Sequence, residues 1–152
     1  MDTPKHPKTA KFVGRGIFTN LKSFKELEVR ISALGDNVEM GDALEVFAEA
    51  YFVTQRGVDP KDIWPIKKVP HSIRKELNLP GDDYGIDGLY RNEIGGFDAY
   101  QSKFKGGRPT LLWQQLSTFV GLADGDKFGN KVIFTNCEEL GPVLSDRIDF
   151  YI

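Results

Sequence analysis

At 152 residues, with 40% hydrophobic and 28% charged side chains, the chain is long enough to bury one core without disulfides or structural metals, and its composition is not that of a disordered segment. Its 20 basic and 22 acidic residues leave a net charge of −2, so any contact with nucleic acid has to come from local clusters of Lys and Arg and not from the overall field. The single cysteine, Cys137, excludes an internal disulfide and has no neighbours at zinc-ligand spacing, which makes a reducing cytoplasm the expected setting.

Residues 1–20 read as a basic N-terminal arm, with Lys5, Lys8, Lys11 and Arg15 and no apolar run that would make a signal peptide or a membrane span. Pro4 and Pro7 suggest that the arm is extended. Residues 21–152 read as a single domain. Leu21, Phe24, Leu27, Ile31 and Leu34 recur at helical spacing behind a Ser23/Glu26 capping box, which predicts a first helix to about Gly35. A second helix is predicted from Gly41 and Asp42 to a C-terminal cap at Gly57, burying Leu44, Phe47, Tyr51 and Phe52 and carrying Glu45 and Glu49 one turn apart. Residues 62–69 read as a short strand interrupted at Pro65, residues 71–77 as a short helix, and residues 80–83 as a loop.

Residues 85–90 and 97–104 then read as two strands joined by a turn at 92–96, an antiparallel hairpin. Thr110 can cap a third long helix with Leu111, Leu112, Leu116, Phe119 and Val120 at helical spacing. After a loop at 124–129, residues 131–135 look like a strand buried on both faces, as strands with parallel neighbours are. A short helix at 137–140 and a closing strand at 147–152 complete the pattern. Because the last residues are still strand-like, the chain is expected to be the N-terminal part of a longer polypeptide.

Within the hairpin, Asp87 falls on the first strand, and Gln101 and Lys103 fall on the second, on one face because strand side chains alternate. If Asp87 shares that face, a carboxylate, an amide oxygen and an ammonium converge among Ile86, Phe97, Ala99 and Phe104. Phosphodiester hydrolysis is a chemistry that needs such a group: hard oxygen ligands for Mg²⁺ and a lysine to orient or deprotonate water.

The run Gly85-Ile86-Asp87-Gly88, the hairpin and Gln101-Ser102-Lys103 resemble the PD-(D/E)xK nuclease superfamily, specifically its Mrr-type restriction endonuclease branch, where glutamine commonly replaces the second acid. The resemblance spans about residues 41–136. It implies an α/β, restriction-endonuclease-like core: a central mixed sheet of four to five strands flanked by helices. It also implies a DNA endonuclease that uses Mg²⁺, with Mn²⁺ able to substitute. Asp87 is then the principal metal ligand, Gln101 and the backbone carbonyl of Ser102 complete the inner shell, and Lys103 positions the attacking water. The glutamate of the family's first helix corresponds to Glu45, with Glu49 as the competing candidate, and Ile133-Phe134-Thr135-Asn136 look like the last core strand. The chain departs from the pattern in lacking the namesake proline before Asp87 and in carrying Gln101, which removes one negative charge from the site.

Each of these residues also has a plainer reading. Asp87 can be a turn residue, Lys103 an edge-strand charge, Gln101 a cross-strand hydrogen-bonding group, and Glu45 and Glu49 a solvated helix face. Lys103, Lys105 and Arg108, with Gly106 and Gly107 between them, form a flexible cationic loop expected to meet the scissile phosphate. Lys67, Lys68, His71, Arg74 and Lys75 form a second cluster, and Gln115 is a candidate to face the site or the DNA backbone. Trp64 and Trp113 read as packing residues, and neither His6 nor His71 is placed like a metal ligand. The rival to a nuclease is a DNA-binding or docking module that keeps the fold without the chemistry, and an RNA substrate is a third reading. The resemblance further implies a helicase, translocase or methyltransferase domain in the same polypeptide, while cutting both DNA strands requires two sites, through a dimer or a second complex.

Overall fold

The polar N-terminus does not trail away from the rest of the chain. In the computed structural model, which describes residues 3–79, 85–123, 128–142 and 150–151, a short helix α1 (Thr9–Gly14) buries Phe12 completely. Phe12 and Ile17 join the same apolar cluster as the next two helices, so the expected extended arm is folded onto the body. Burying large hydrophobes such as these stabilises by roughly 1.5–3 kcal/mol each, which the sequence signal of two prolines does not outweigh.

Helix α2 (Phe24–Ser32) starts as its capping pattern predicts. Ser23 Oγ accepts the Glu26 N–H at 3.1 Å, and the Glu26 carboxylate reaches back to the Lys22 N–H, also at 3.1 Å. Helix α3 (Asn37–Gln55) begins a turn earlier than Gly41, because Asp36 Oδ1 accepts the Val38 N–H at 3.0 Å and supplies a cap upstream of the glycine. Its other end lies where expected, with Gly57 just past the last turn at φ +69°.

The sheet has strands in the spatial order β1 (Ile63–Pro65), β2 (Gly88–Arg91), β3 (Phe97–Lys103), β4 (Lys131–Thr135) and β5 (Phe150–Tyr151). The first three are antiparallel neighbours, and β4 and β5 continue the sheet in parallel, which is the expected mixed sheet. Two strands are shorter than predicted. After Pro65 the chain turns into a 3-10 helix (Ile66–Lys68) instead of continuing as strand, and β2 begins only at Gly88, so Asp87 stands just ahead of the strand and not on it. Helix α4 (His71–Glu76) follows as predicted.

Side-chain alternation divides the core. Trp64, Leu89, Ala99 and Ile133 pack on one face with α4 and α5 (Trp113–Ala123), while Ile63, Tyr90, Tyr100 and Phe134 pack on the other with α2 and α3. Val132, Ile133 and Phe134 are all buried, as a strand between parallel neighbours requires. Both tryptophans pack against the first cluster, consistent with their reading as packing residues.

Near the C-terminus two expectations give way to one feature. Leu111 does not open the third long helix but forms an isolated parallel bridge with Leu140, and the helix starts at Trp113. Thr110 is therefore not the cap; the Leu112 N–H donates to Gln115 Oε1 at 2.8 Å instead. The same bridge takes Leu140 out of the helix predicted at 137–140, where the Cys137 N–H donates to Thr135 Oγ1 at 3.0 Å. The loop predicted at 80–83, most of that at 124–129, and all of the closing strand except Phe150–Tyr151 lie outside the described residues. Among the described residues no helix is long and apolar enough to cross a membrane.

Candidate active site

The two glycines around Asp87 have separate causes. A Cβ on Gly88 would lie 2.2 Å from the Tyr100 hydroxyl and 2.7 Å from the Trp64 carbonyl oxygen, and Gly85 adopts φ +104° with its Cα pressed toward the Phe119 backbone. Tyr100 thus crosses beneath β2 at the point where the chain delivers Asp87. The Asp87 N–H donates to the Tyr100 carbonyl at 3.0 Å and its own carbonyl accepts the Ile66 N–H at 2.8 Å, so its backbone is fixed by β3 on one side and by the 3-10 helix after β1 on the other.

The Asp87 side chain is buried, and its Oδ2 accepts both the N–H of Ser102 at 2.7 Å and the Ser102 hydroxyl at 3.2 Å. Ser102 therefore meets Asp87 as a donor that orients it. Gln101 and Lys103 alternate with Ser102 along β3 and line a second, smaller cleft of about 320 Å³ with Gly85, Gln115 and Thr118 of the α5 side. Because Asp87 sits at the end of the sheet, before β2 begins, all four residues still border one opening: a cleft of about 430 Å³ lined by Asp42, Glu45, Asp87, Gln101, Ser102 and Lys103 among others. A larger cleft, about 640 Å³, lies at the opposite edge of the sheet around Tyr90 and Asp98. There the Asp98 carboxylate is already engaged by the side chain of Asn92 and by both the backbone and side-chain N–H groups of Asn130.

Gln101 carries the feature that bears most on a metal. Its Oε1 is buried and has no hydrogen-bond partner among the described residues. A buried oxygen without a hydrogen-bond partner, in a cleft that the Asp87 carboxylate also lines, is a poor arrangement for a plain structural residue and a suitable one for a hard cation or an ordered water, so the residues present fit an ion such as Mg²⁺.

The structure also separates the two candidate glutamates. Glu45 lines the cleft; Glu49 is buried behind it, and its carboxylate accepts the backbone N–H groups of Lys5 at 2.5 Å and His6 at 3.2 Å. Burial raises the Glu49 pKa above its ordinary value, with the Lys5 and His6 N–H groups pulling the other way. The phenol of Tyr100 is held well above 10, first by burial and then by the Glu49, Asp87 and Glu45 carboxylates, so it stays a neutral hydroxyl among three acids.

His6, Asp42 and Glu45 were not singled out together by the sequence, yet their ligand atoms lie within 4.8 Å of one another. His6 Nε2 stands 3.5 Å from Glu45 Oε1, and its Nδ1 accepts the Lys8 N–H at 3.0 Å. With Nδ1 taken up by the Lys8 N–H, Nε2 is the ring nitrogen that faces Glu45, which places His6 to orient that carboxylate. A sequence separation of 39 residues between His6 and Glu45 hides this contact; only the folding of the N-terminal segment creates it.

The loop after β3 departs from expectation. It is tethered, not flexible: the Lys105 N–H donates to Asn136 Oδ1 at 2.9 Å, and Asn136 Nδ2 donates to the Lys105 carbonyl at 2.7 Å. The Arg108 guanidinium is shared between Glu28, which it grips through two nitrogens, and Glu138 at 2.7 Å. Arg108 is thus not available for DNA without breaking these pairs. Its hydrogen bond holds Glu28 below the ordinary carboxylate range, with the Asn136 side chain adding to the effect. Gln115 likewise spends its oxygen on the start of α5, although it still borders the smaller cleft.

No protein-family model and no curated protein matches this chain. Among solved structures it is similar to one described as the ATP-dependent Type ISP restriction-modification enzyme LlaBIII bound to DNA, with a TM-score of 0.56 at 16% sequence identity. The fold is that of a restriction-endonuclease-like α/β core. The match covers 78% of this chain and 7% of that enzyme, so the chain spans a small part of its length. At this identity the likeness is one of fold, and the chemistry has to be argued from the cleft.

Proposed function

We propose that this chain is a Mg²⁺-dependent endonuclease domain that hydrolyses DNA phosphodiester bonds, with Asp87, Gln101 and Lys103 as its working residues. The observation that carries the reading is the buried, partnerless oxygen of Gln101 in a cleft shared with the Asp87 carboxylate and the Lys103 ammonium. Asp87 and Gln101, with the Ser102 backbone carbonyl, would hold a Mg²⁺ ion, which would supply Lewis acidity to the scissile phosphate and make water more acidic. The chain's own residues do the rest. Ser102 fixes the Asp87 carboxylate with two hydrogen bonds. Lys103 orients the attacking water from β3, and Glu45, steadied by His6, faces the same opening from α3. Water adds to phosphorus as one P–O ester bond breaks, leaving a phosphate monoester and a free hydroxyl.

DNA as substrate is further supported by the fold's likeness to an enzyme solved with DNA, and that enzyme's ATP-dependent, modifying character makes a translocating, helicase or methyltransferase domain in the same polypeptide part of the proposal. The test is cleavage of supercoiled plasmid in Mg²⁺ and in Mn²⁺ by the chain and by Asp87→Ala and Lys103→Ala. Metal-dependent nicking or linearisation that falls by roughly 10²-fold or more in both variants is the expected result. Cleavage that survives Asp87→Ala removes the proposal. Binding of DNA without cleavage in either metal replaces it with the docking-module reading, which the missing second carboxylate at Gln101 favours.

A further inference from the structure

The proposed nuclease needs cations against the phosphate backbone, and Arg108, the most obvious donor in the sequence, is committed to Glu28 and Glu138. Other cations are similarly taken: Lys11 and Arg15 by Glu39, and Arg30 by Glu26. Lys67, Lys68 and Lys75 differ. All three are exposed, and among the described residues none of them forms an ion pair.

Their position follows from the sheet. Pro65, at the end of β1, lies opposite Gly88, and Gly88 lies opposite Tyr100, so the last residue of β1, the first of β2 and the last part of β3 share one edge. The chain leaves β1 at that edge through the 3-10 helix Ile66–Lys68, whose first N–H donates to the Asp87 carbonyl at 2.8 Å. Arg74 donates to the Ile66 carbonyl and holds the turn, while Ile73 and Leu77 anchor α4 in the core and leave Lys75 outside. Strands lie about 4.8 Å apart, so the end of β1, from which Lys67 and Lys68 follow, stands roughly 10 Å from β3, the strand that carries Lys103.

We propose that Lys67, Lys68 and Lys75 form the backbone-tracking surface of this domain, seating the DNA phosphates that flank the scissile bond on the β1 side of the Asp87 cleft. The inference rests on the nuclease reading above. It assigns phosphate positioning to the 66–76 segment, and leaves Arg108 a structural role. Contacts of this kind carry no base readout, so the surface is indifferent to sequence.

The experiment measures binding of a short fluorescent DNA duplex by anisotropy across a salt series, in Ca²⁺, for the chain and for Lys67→Ala/Lys68→Ala/Lys75→Ala. Lys→Arg replacements at the same positions and Lys61→Ala, exposed beyond the opposite end of β1, serve as comparisons. If the surface seats phosphates, the alanine variant binds at least tenfold more weakly at low salt, and its plot of log affinity against log salt is shallower by about 0.9 for each lost contact. The arginine variant keeps the parent's slope, and so does Lys61→Ala. An alanine variant with unchanged affinity and slope overturns the surface even if plasmid cleavage by the parent stands, whereas a parent that neither binds nor cleaves DNA removes both readings together.

Discussion

In the proposed metal site Gln101 stands where a second carboxylate would make the site doubly acidic, and its consequence is a weaker ligand set. An amide oxygen carries only a partial charge, so the cation must be held largely by Asp87. Among the described residues nothing hydrogen-bonds Gln101 Oε1, which leaves it open to an external ligand. Gln101→Glu is therefore expected to tighten Mg²⁺ binding by roughly tenfold, about 1.4 kcal/mol, as measured by titration calorimetry. Unchanged affinity would mean that the side chain at position 101 does not reach the ion. Gly88 makes a complementary point: it is glycine because Tyr100 occupies the space of its side chain, and no ligand needs to be invoked for it.

Among the elements, the N-terminal segment has the largest role that its sequence concealed. Lys5 Nζ donates to the carbonyls of Pro60 at 2.7 Å and Ile63 at 2.6 Å, and the backbone of Lys5 and His6 caps the buried Glu49 carboxylate. The segment thereby ties α3 to β1 and brings His6 to Glu45 at the rim of the cleft. Removing residues 1–8 leaves Glu49 buried without these donors. The expected loss is about 3 kcal/mol of unfolding free energy, read from urea denaturation, since hydrogen bonds to charged groups contribute roughly 1.5–3 kcal/mol. A truncated chain as stable as the parent would show that solvent replaces the lost donors at no cost.

For the whole molecule, one ion-paired acid, Glu28, and one buried acid, Glu49, pull stability in opposite directions with pH. Glu28 has its folded pKa below the ordinary 4.5, chiefly through Arg108, so its contribution is complete above 4.5 and is lost as the pH falls through the lower folded value. Glu49 has its folded pKa above 4.5, so it favours the folded state below 4.5 and loses that contribution as the pH rises through the higher folded value. Glu28 also ties α2 to the loops after β3 and β4 through Arg108 and Asn136. Melting temperatures of the parent should fall more steeply between about pH 5 and about pH 3 than those of Glu28→Gln. Parallel curves would show that Glu28 titrates alike in the folded and unfolded chains.

What the sequence determined by itself is what depends on neighbours along the chain. The Ser23 cap, the end of α3 at Gly57, the hairpin between β2 and β3, and the buried character of β4 all follow from propensity and periodicity, and Asp87, Gln101 and Lys103 stand out at their spacing for the same reason. Tertiary structure decided whatever depends on distant partners. It placed Phe12 in the core, gave Leu111 to Leu140, committed Arg108 to Glu28 and Glu138, and distinguished Glu45 at the cleft from Glu49 beneath the N-terminal segment. A charge in a sequence reveals its sign but not its partner, and a buried carboxylate or guanidinium finds that partner only when the chain closes around it.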